Sequence, residues 1–535
     1  MNISRRNFVL TTGAITVLSA LGLQSPAVFA QSSVPVKGGT IRIFLSDPTV
    51  LVSAISSAGQ TALISPKLFD GLVEYDNDMV PHPRMATSVK LSDDARTLTI
   101  VLREGLKWHD GQPITSADVA FSALEVWKKF HSRGRSTYAS LESVDTPDEL
   151  TSVFHFSKPS AFVMNALFAS EAQVIPKHIY QGSDILKNPA NTAPIGSGPF
   201  RFVEWKQGEY ILLEKNPHYW AKDEPYADQI VVLLVQDSSA RALAFEAQEV
   251  DAAGGMPVSM ADARRLARLP YIEIPTTGNE AYGNNHFVEV NLRRPYLQDV
   301  RVRQALLHAI DRDFMLKNVY FGFGTAATGP IPVTMKTFYS PEVPTYGYDP
   351  QKAMALLDEA GFKPDAKGKR LSLTIDPLPL GDIYSAAAAY MKQALAAVGV
   401  DLTIRSADIA TYYRRIYGDY DYDLTFAGAS ALTDPTIGVQ RFFWSKNIIP
   451  GVPFSNGSGY SNPEMDAILE QAAAEPNPQK RIELFNKFQT LAATDLPILP
   501  IADAPYFAVR NKRLKNAEVS PFGFGGSFSN AYIEG

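Results

Sequence analysis

Leu98–Trp127 constrains this chain more than any other stretch, because a strand, a turn and a helix are written into it one after another. Leu98, Ile100 and Leu102 recur at every second position within Thr97–Arg103, the period of a half-buried strand. Gly105 interrupts the alternation, and Asp110-Gly111 predicts a turn, since glycine takes a positive φ without steric cost. Pro113 stops a strand from continuing. Thr115 and Asp118 have the spacing of a capping box, with Asp in place of the usual Glu. Val119, Ala120, Ala123, Leu124 and Trp127 follow at helical spacing.

The 535 residues are enough for two or three lobes. A net charge of −6 disfavours nucleic acid as a partner, because phosphate binding needs a basic face. The absence of cysteine rules out disulfides, thiolate nucleophiles, thiolate metal sites and a lipid anchor on an N-terminal cysteine. Residues 1–30 read as a targeting segment: Ser4-Arg5-Arg6-Asn7-Phe8 is a twin-arginine motif, and Val28-Phe29-Ala30 offers a cleavage box. Its apolar stretch is too short for a stable membrane span. Cleavage there takes away two arginines and no acid, moving the net charge from −6 to −8.

Further along, strands are predicted over 38–44, 142–145, 152–156, 200–205, 210–214, 228–236, 286–294, 371–375, 400–405, 498–501 and 506–509. Helices are predicted over 160–169, 237–253, 383–398, 464–474 and 478–494, and residues 49–60 read as a loop. The run from Leu371 to Arg405 has a strand–helix–strand order of βαβ type. Gly196 and Gly198 read as glycines that permit unusual backbone angles.

No catalytic constellation stands out. Gly428-Ala429-Ser430-Ala431-Leu432 lacks the closing glycine of a nucleophile elbow. The eight histidines are scattered, with no pair four apart on a helix, so no metal site is expected. The carboxylate clusters lack the glycine and distal Glu of a calcium loop.

Trp108 to Val119, together with LFDGLVEYD (68–76), IGSGPF (195–200), NPHYW (216–220), PYLQDVRVRQALLHAID (295–311) and YDPQKAMALLDEAGF (348–362), resembles the extracytoplasmic solute-binding proteins of the peptide/opine/nickel class of ABC importers. The resemblance implies an α/β fold of the periplasmic-binding-protein type, two-lobed with an additional inserted α+β lobe. It divides the chain into lobe I (31–75, 195–285 and 496–535), the inserted lobe (76–194) and lobe II (286–495). It implies a receptor without enzymatic activity or cofactor, working as a monomer. The receptor would enclose a small solute by closure about a hinge and hand it to a permease in the inner membrane. With the leader, the implied location is the periplasm, reached by the twin-arginine route. A secreted hydrolase on a related scaffold and a periplasmic chaperone or sensor are the alternatives.

The ligand positions implied by the resemblance are Ser57 in a first-lobe loop, Tyr138 in the inserted lobe, and Phe426, Ala429 and Ser430 in lobe II. Peptide-binding members anchor the ligand's ammonium on a carboxylate shortly before the Asp-Pro turn, here Asp434-Pro435. The matching place is Ala431, or Leu432 with a one-residue slip. The expected solute is therefore peptide-like, an opine or a glycoside without a free amino terminus. The Arg301 and Arg303 side chains are expected to tie the start of their helix to neighbouring carboxylates.

Overall fold

The computed structural model describes residues 35–76, 79–276, 281, 283–504, 506–517 and 521–534, so the predicted leader 1–30 lies outside the described residues. Residues from Lys37 onward hold together as one unit. Three sheets organise it. The first has seven strands in the order Ile272–Glu273, Val509–Asn511, Ala252–Ala253, Thr40–Leu45, Gln229–Leu234, Tyr210–Lys215 and Phe200–Lys206. The second has six: Thr325–Ala326, Ile498–Ala504, Asn284–Val290, Leu424–Ser430, Leu371–Pro377 and Val400–Ile404. The third is antiparallel with four: Ala86–Leu91, Thr97–Leu102, Thr151–Phe156 and Leu141–Asp145.

The stretch that opened the sequence reading folds as its periodicities predict. Thr97–Leu102 is a strand with Leu98, Ile100 and Leu102 buried on one face. Gly111 has φ +85° at the turn. Thr115 and Asp118 close the capping box at the start of helix Ser116–Phe121, which widens into a π-turn over Ser122–Trp127. The βαβ order also holds: Leu371–Pro377 and Val400–Ile404 pair in parallel around helix Asp382–Ala396.

Two large cores result. Strand Thr40–Leu45 contributes to both through its period of two. Ile41, Ile43 and Leu45 share a core with Leu98 and Ile100 of the four-stranded sheet and with Trp127 of the π-turn. Phe44 packs with Phe245 in the core that continues beneath the second sheet.

Several predicted elements are corrected. The helix placed at 237–253 spans only Ser238–Glu246; Gln248 takes φ 57° and Ala252–Ala253 joins the first sheet. The helix at 160–169 is a 3-10 turn, Ala161–Ala166. The loop at 49–60 ends in a helix, Gly59–Leu68, that has no side-chain cap and contains Pro66, so packing rather than local sequence sustains it. The strand at 286–294 is Asn284–Val290. The closing strand at 506–509 is Val509–Asn511.

Gly196 and Gly198 are needed for space, since neither has a positive φ. A Cβ on Gly196 would stand 1.9 Å from the Leu68 carbonyl oxygen, and one on Gly198 2.6 Å from the Leu68 carbonyl carbon. Arg301 pairs with Asp299 as expected. Arg303 instead donates to the carbonyls of Leu297, Gln298 and Asp495, so backbone takes the place of the expected carboxylates.

Candidate functional site

The chain crosses between the two large sheets twice. It leaves the first after Glu273 to enter the second at Asn284, and returns from Ala504 to the first at Val509. Where it crosses, three strands of the second sheet end together, with Asn284 in register with both Ser430 and Ala504. This edge is lined by polar groups with little charge. Asn284 Nδ2 lies 3.0 Å from His286 Nε2, whose ring also meets the Tyr320 hydroxyl at 2.8 Å. Burial holds His286 down to about 3, so the ring is neutral at physiological pH.

Asp503 is the acid of this edge. Its oxygens accept from Asn285 Nδ2 at 3.2 Å and from the Val333 amide at 3.0 Å. Burial raises it to about 7, the Val333 hydrogen bond opposing the shift. The Ser430 hydroxyl is hydrogen-bonded to Tyr506, and no described histidine is bonded to it as a nucleophile's base would be.

The five residues singled out from the sequence do not converge on one cavity. Ser57 is half-buried, its hydroxyl 2.5 Å from that of Ser132. Tyr138 and Phe426 are fully buried in protein. Tyr138 lies 5.2 Å from Trp127 between ring centroids, and Phe426 packs against His286 and Tyr384. Ala429 and Ser430 line a cavity of about 20 Å³ with Asn285, Phe287 and Phe442. That volume suits one water and is far too small for a dipeptide or an opine.

Two constellations escaped the sequence reading. In the first, Asn165, beside the four-stranded sheet, donates to Asp434 Oδ2 at 2.8 Å. Thr433 donates to the Asn165 carbonyl at 2.5 Å. Arg481 grips the same carboxylate with both Nη groups at 2.6 Å, and the Thr436 amide caps it at 2.8 Å. Phe162, Ala166, Leu432 and Ile437 form an apolar cluster around this link. Asp434, fully buried, is therefore saturated by protein donors and has no capacity left for an ammonium group.

In the second, Arg133 binds the Glu171 carboxylate in a bidentate pair. Burial would raise Glu171, but the Arg133 guanidinium and His131 hold it below the usual carboxylate range. The charges of this pair also act on Arg441, which follows strand Leu424–Ser430. Neither constellation has a motif. Each joins residues far apart in sequence, and only the paired charges, Asp434 with an arginine above all, could have hinted at them. Among the described residues, no three His, Asp or Glu side chains gather as a metal site would require.

The comparisons agree with this architecture. The profile of bacterial extracellular solute-binding proteins, family 5, matches residues 80–450. The oligopeptide-binding protein AppA of Bacillus subtilis is 27% identical over 507 residues, covering 91% of each chain. An ABC transporter peptide-binding protein of Brucella ovis is 31% identical over 487 residues, covering 88% of each. The ABC transporter substrate-binding protein CtaP of Listeria monocytogenes superposes with a TM-score of 0.81 at 26% identity, over 93% of this chain and all of the other (100%). With its two sheets joined by a double crossover and a profile match running from the four-stranded sheet into the second sheet, the chain belongs to family 5 of the bacterial extracellular solute-binding proteins.

Proposed function

We propose that this protein is a periplasmic receptor of an ABC importer, which captures a small solute between the two large sheets and presents it to a membrane permease. The observation that carries this reading is the double crossover, Glu273 to Asn284 and Ala504 to Val509. The two connections between the sheets can absorb the dihedral changes of closure, while the sheets on either side move as bodies. The leader 1–30 directs export by the twin-arginine route and is removed. The mature chain acts as a monomer and makes or breaks no bond.

The solute is a peptide-like compound, an opine or a glycoside that lacks a free ammonium group. Two features support that class. Alanine stands at position 431, where peptide binders carry an acid, and the neighbouring Asp434 is consumed by Arg481 and Asn165. A buried ammonium without a partner would cost several kcal/mol.

The test is thermal stability of protein freed of co-purified solute, measured against a library of peptides, N-acyl peptides, opines and glycosides. A true solute at 100 times its Kd adds about 2.7 kcal/mol to stability. No shift with any compound would overturn the reading. Tight binding of unmodified dipeptides would keep the receptor and reject the solute class.

A further inference from the structure

Most half-buried or buried arginines of this chain have their guanidinium committed. Arg481 is held by Asp434, Arg405 and Arg415 by Asp376, and Arg303 and Arg312 by backbone carbonyls. Arg441 differs. Its Nε donates to the Gly438 carbonyl at 3.0 Å, and its guanidinium carbon lies 4.8 Å from the Phe442 ring centroid and 5.8 Å from that of Phe454. Those contacts fix the plane of the group. Among the described residues neither of its Nη atoms has a hydrogen-bond partner, and no carboxylate lies within ion-pair distance.

The surroundings leave a positive charge uncompensated. Arg133 and Glu171, whose charges reach Arg441, cancel each other as a pair. Beside Arg441, the buried Gln440 has an amide oxygen without a donor. Ser132, next to His131, is bonded to Ser57, so this constellation continues into a loop already expected to face the solute. A rigid guanidinium with two free N–H edges matches a planar carboxylate, which it can bind through two parallel hydrogen bonds.

We propose that Arg441 is a recognition residue for a carboxylate on the solute, so that the ligand is an anion without a compensating ammonium group. This rests on the receptor reading above. The carboxylate would supply the counter-charge that Arg441 lacks, and the Gln440 amide would offer a polar contact beside it.

The test is calorimetric titration of the full mature protein with N-acyl dipeptides and opine acids, each paired with its methyl ester, followed by the best binder against Arg441→Ala and Arg441→Lys. The acid is expected to bind about 10- to 100-fold more tightly than its ester. Arg441→Ala is expected to lose a similar factor, and Arg441→Lys less, since it keeps the charge without the fork. Melting of the solute-free variants controls for folding, and the acid–ester ratio of the wild-type protein stands on its own if a variant does not fold. A solute bound equally as acid and ester, or retained by folded Arg441→Ala, would overturn this inference and leave the receptor reading intact. Absence of binding to the wild-type protein by any compound would overturn the receptor reading itself, and this inference with it.

Discussion

Beneath the two large sheets, lone ionisable groups are buried with opposite sign. Beside the first sheet, the Lys67 amine is fully buried and donates to the carbonyls of Leu63, Phe524 and Gly526, 4.0 Å from the Phe528 ring centroid. It has no carboxylate partner among the described residues, and burial pulls it down to about 7. In the second sheet, Glu289 is fully buried, accepts from the Ser458 amide at 2.7 Å, and is pushed up by burial to about 8. Each side avoids an unpaired buried charge by letting its group approach neutrality near pH 7. At Asp434, by contrast, the protein supplies a full partner in Arg481.

The largest expected effect comes from removing that partner. Arg481→Ala leaves the Asp434 carboxyl buried with only the Asn165 side chain and the Thr436 amide to hold it. The variant is expected to lose about 3–5 kcal/mol in urea unfolding. A loss below about 1 kcal/mol would mean that water reaches the carboxylate.

A second contrast concerns how closely backbone is packed on each side. In the first body, Gly198 meets backbone: a Cβ would lie 2.6–2.8 Å from atoms of Lys67, Phe69 and Leu68. In the second, a Cβ on Gly428 would lie 2.5 Å from the His286 ring and 2.8 Å from the Tyr384 hydroxyl, which are side chains. Gly198→Ala is expected to cost about 3 kcal/mol and Gly428→Ala about 1 kcal/mol, because rotamers can move where a packed backbone cannot. Equal losses would show that the polar cluster around His286 is as unyielding as backbone.

The last effect is a slope with pH rather than a fixed loss, and it sharpens the comparison of charges. Glu289 holds a proton in the folded state that the unfolded chain releases above about 4.5, so its contribution falls as pH rises from there to about 8. Lys67 has the opposite sign: the unfolded chain holds a proton up to about 10.5 that the folded state gives up near 7, so stability rises between those values. Glu289→Gln should remove the first slope and Lys67→Met the second, each at most about 1.4 kcal/mol per pH unit. Stability measured by urea unfolding from pH 5 to pH 10 checks both. An unchanged slope in either variant would show that the group is not buried in isolation.

Much of the fold was legible along the chain. Alternation in Thr97–Leu102, the capping box at Thr115 and Asp118, and the strand–helix–strand run from Leu371 to Ile404 are local signals, and local structure obeys them. The uncapped helix Gly59–Leu68 and the truncated helix Ser238–Glu246 were misread because packing and a left-handed residue, not periodicity, set their limits. The site was harder. Ser57, Tyr138, Phe426, Ala429 and Ser430 came from the resemblance, which aligns segments but does not say which side chains a fold turns inward.

By itself the sequence determined which segments alternate or coil, where glycine and proline break them, and that no acid stands at 431 to receive an ammonium group. Only the tertiary structure decided that Asp434 is spent on Arg481 and on Asn165, 269 residues away, while the Nη groups of Arg441 find no carboxylate among the described residues. Periodicity reports burial of one face by another within a few turns. Charge compensation is a sum over groups brought together from distant parts of the chain, and no local pattern encodes that sum.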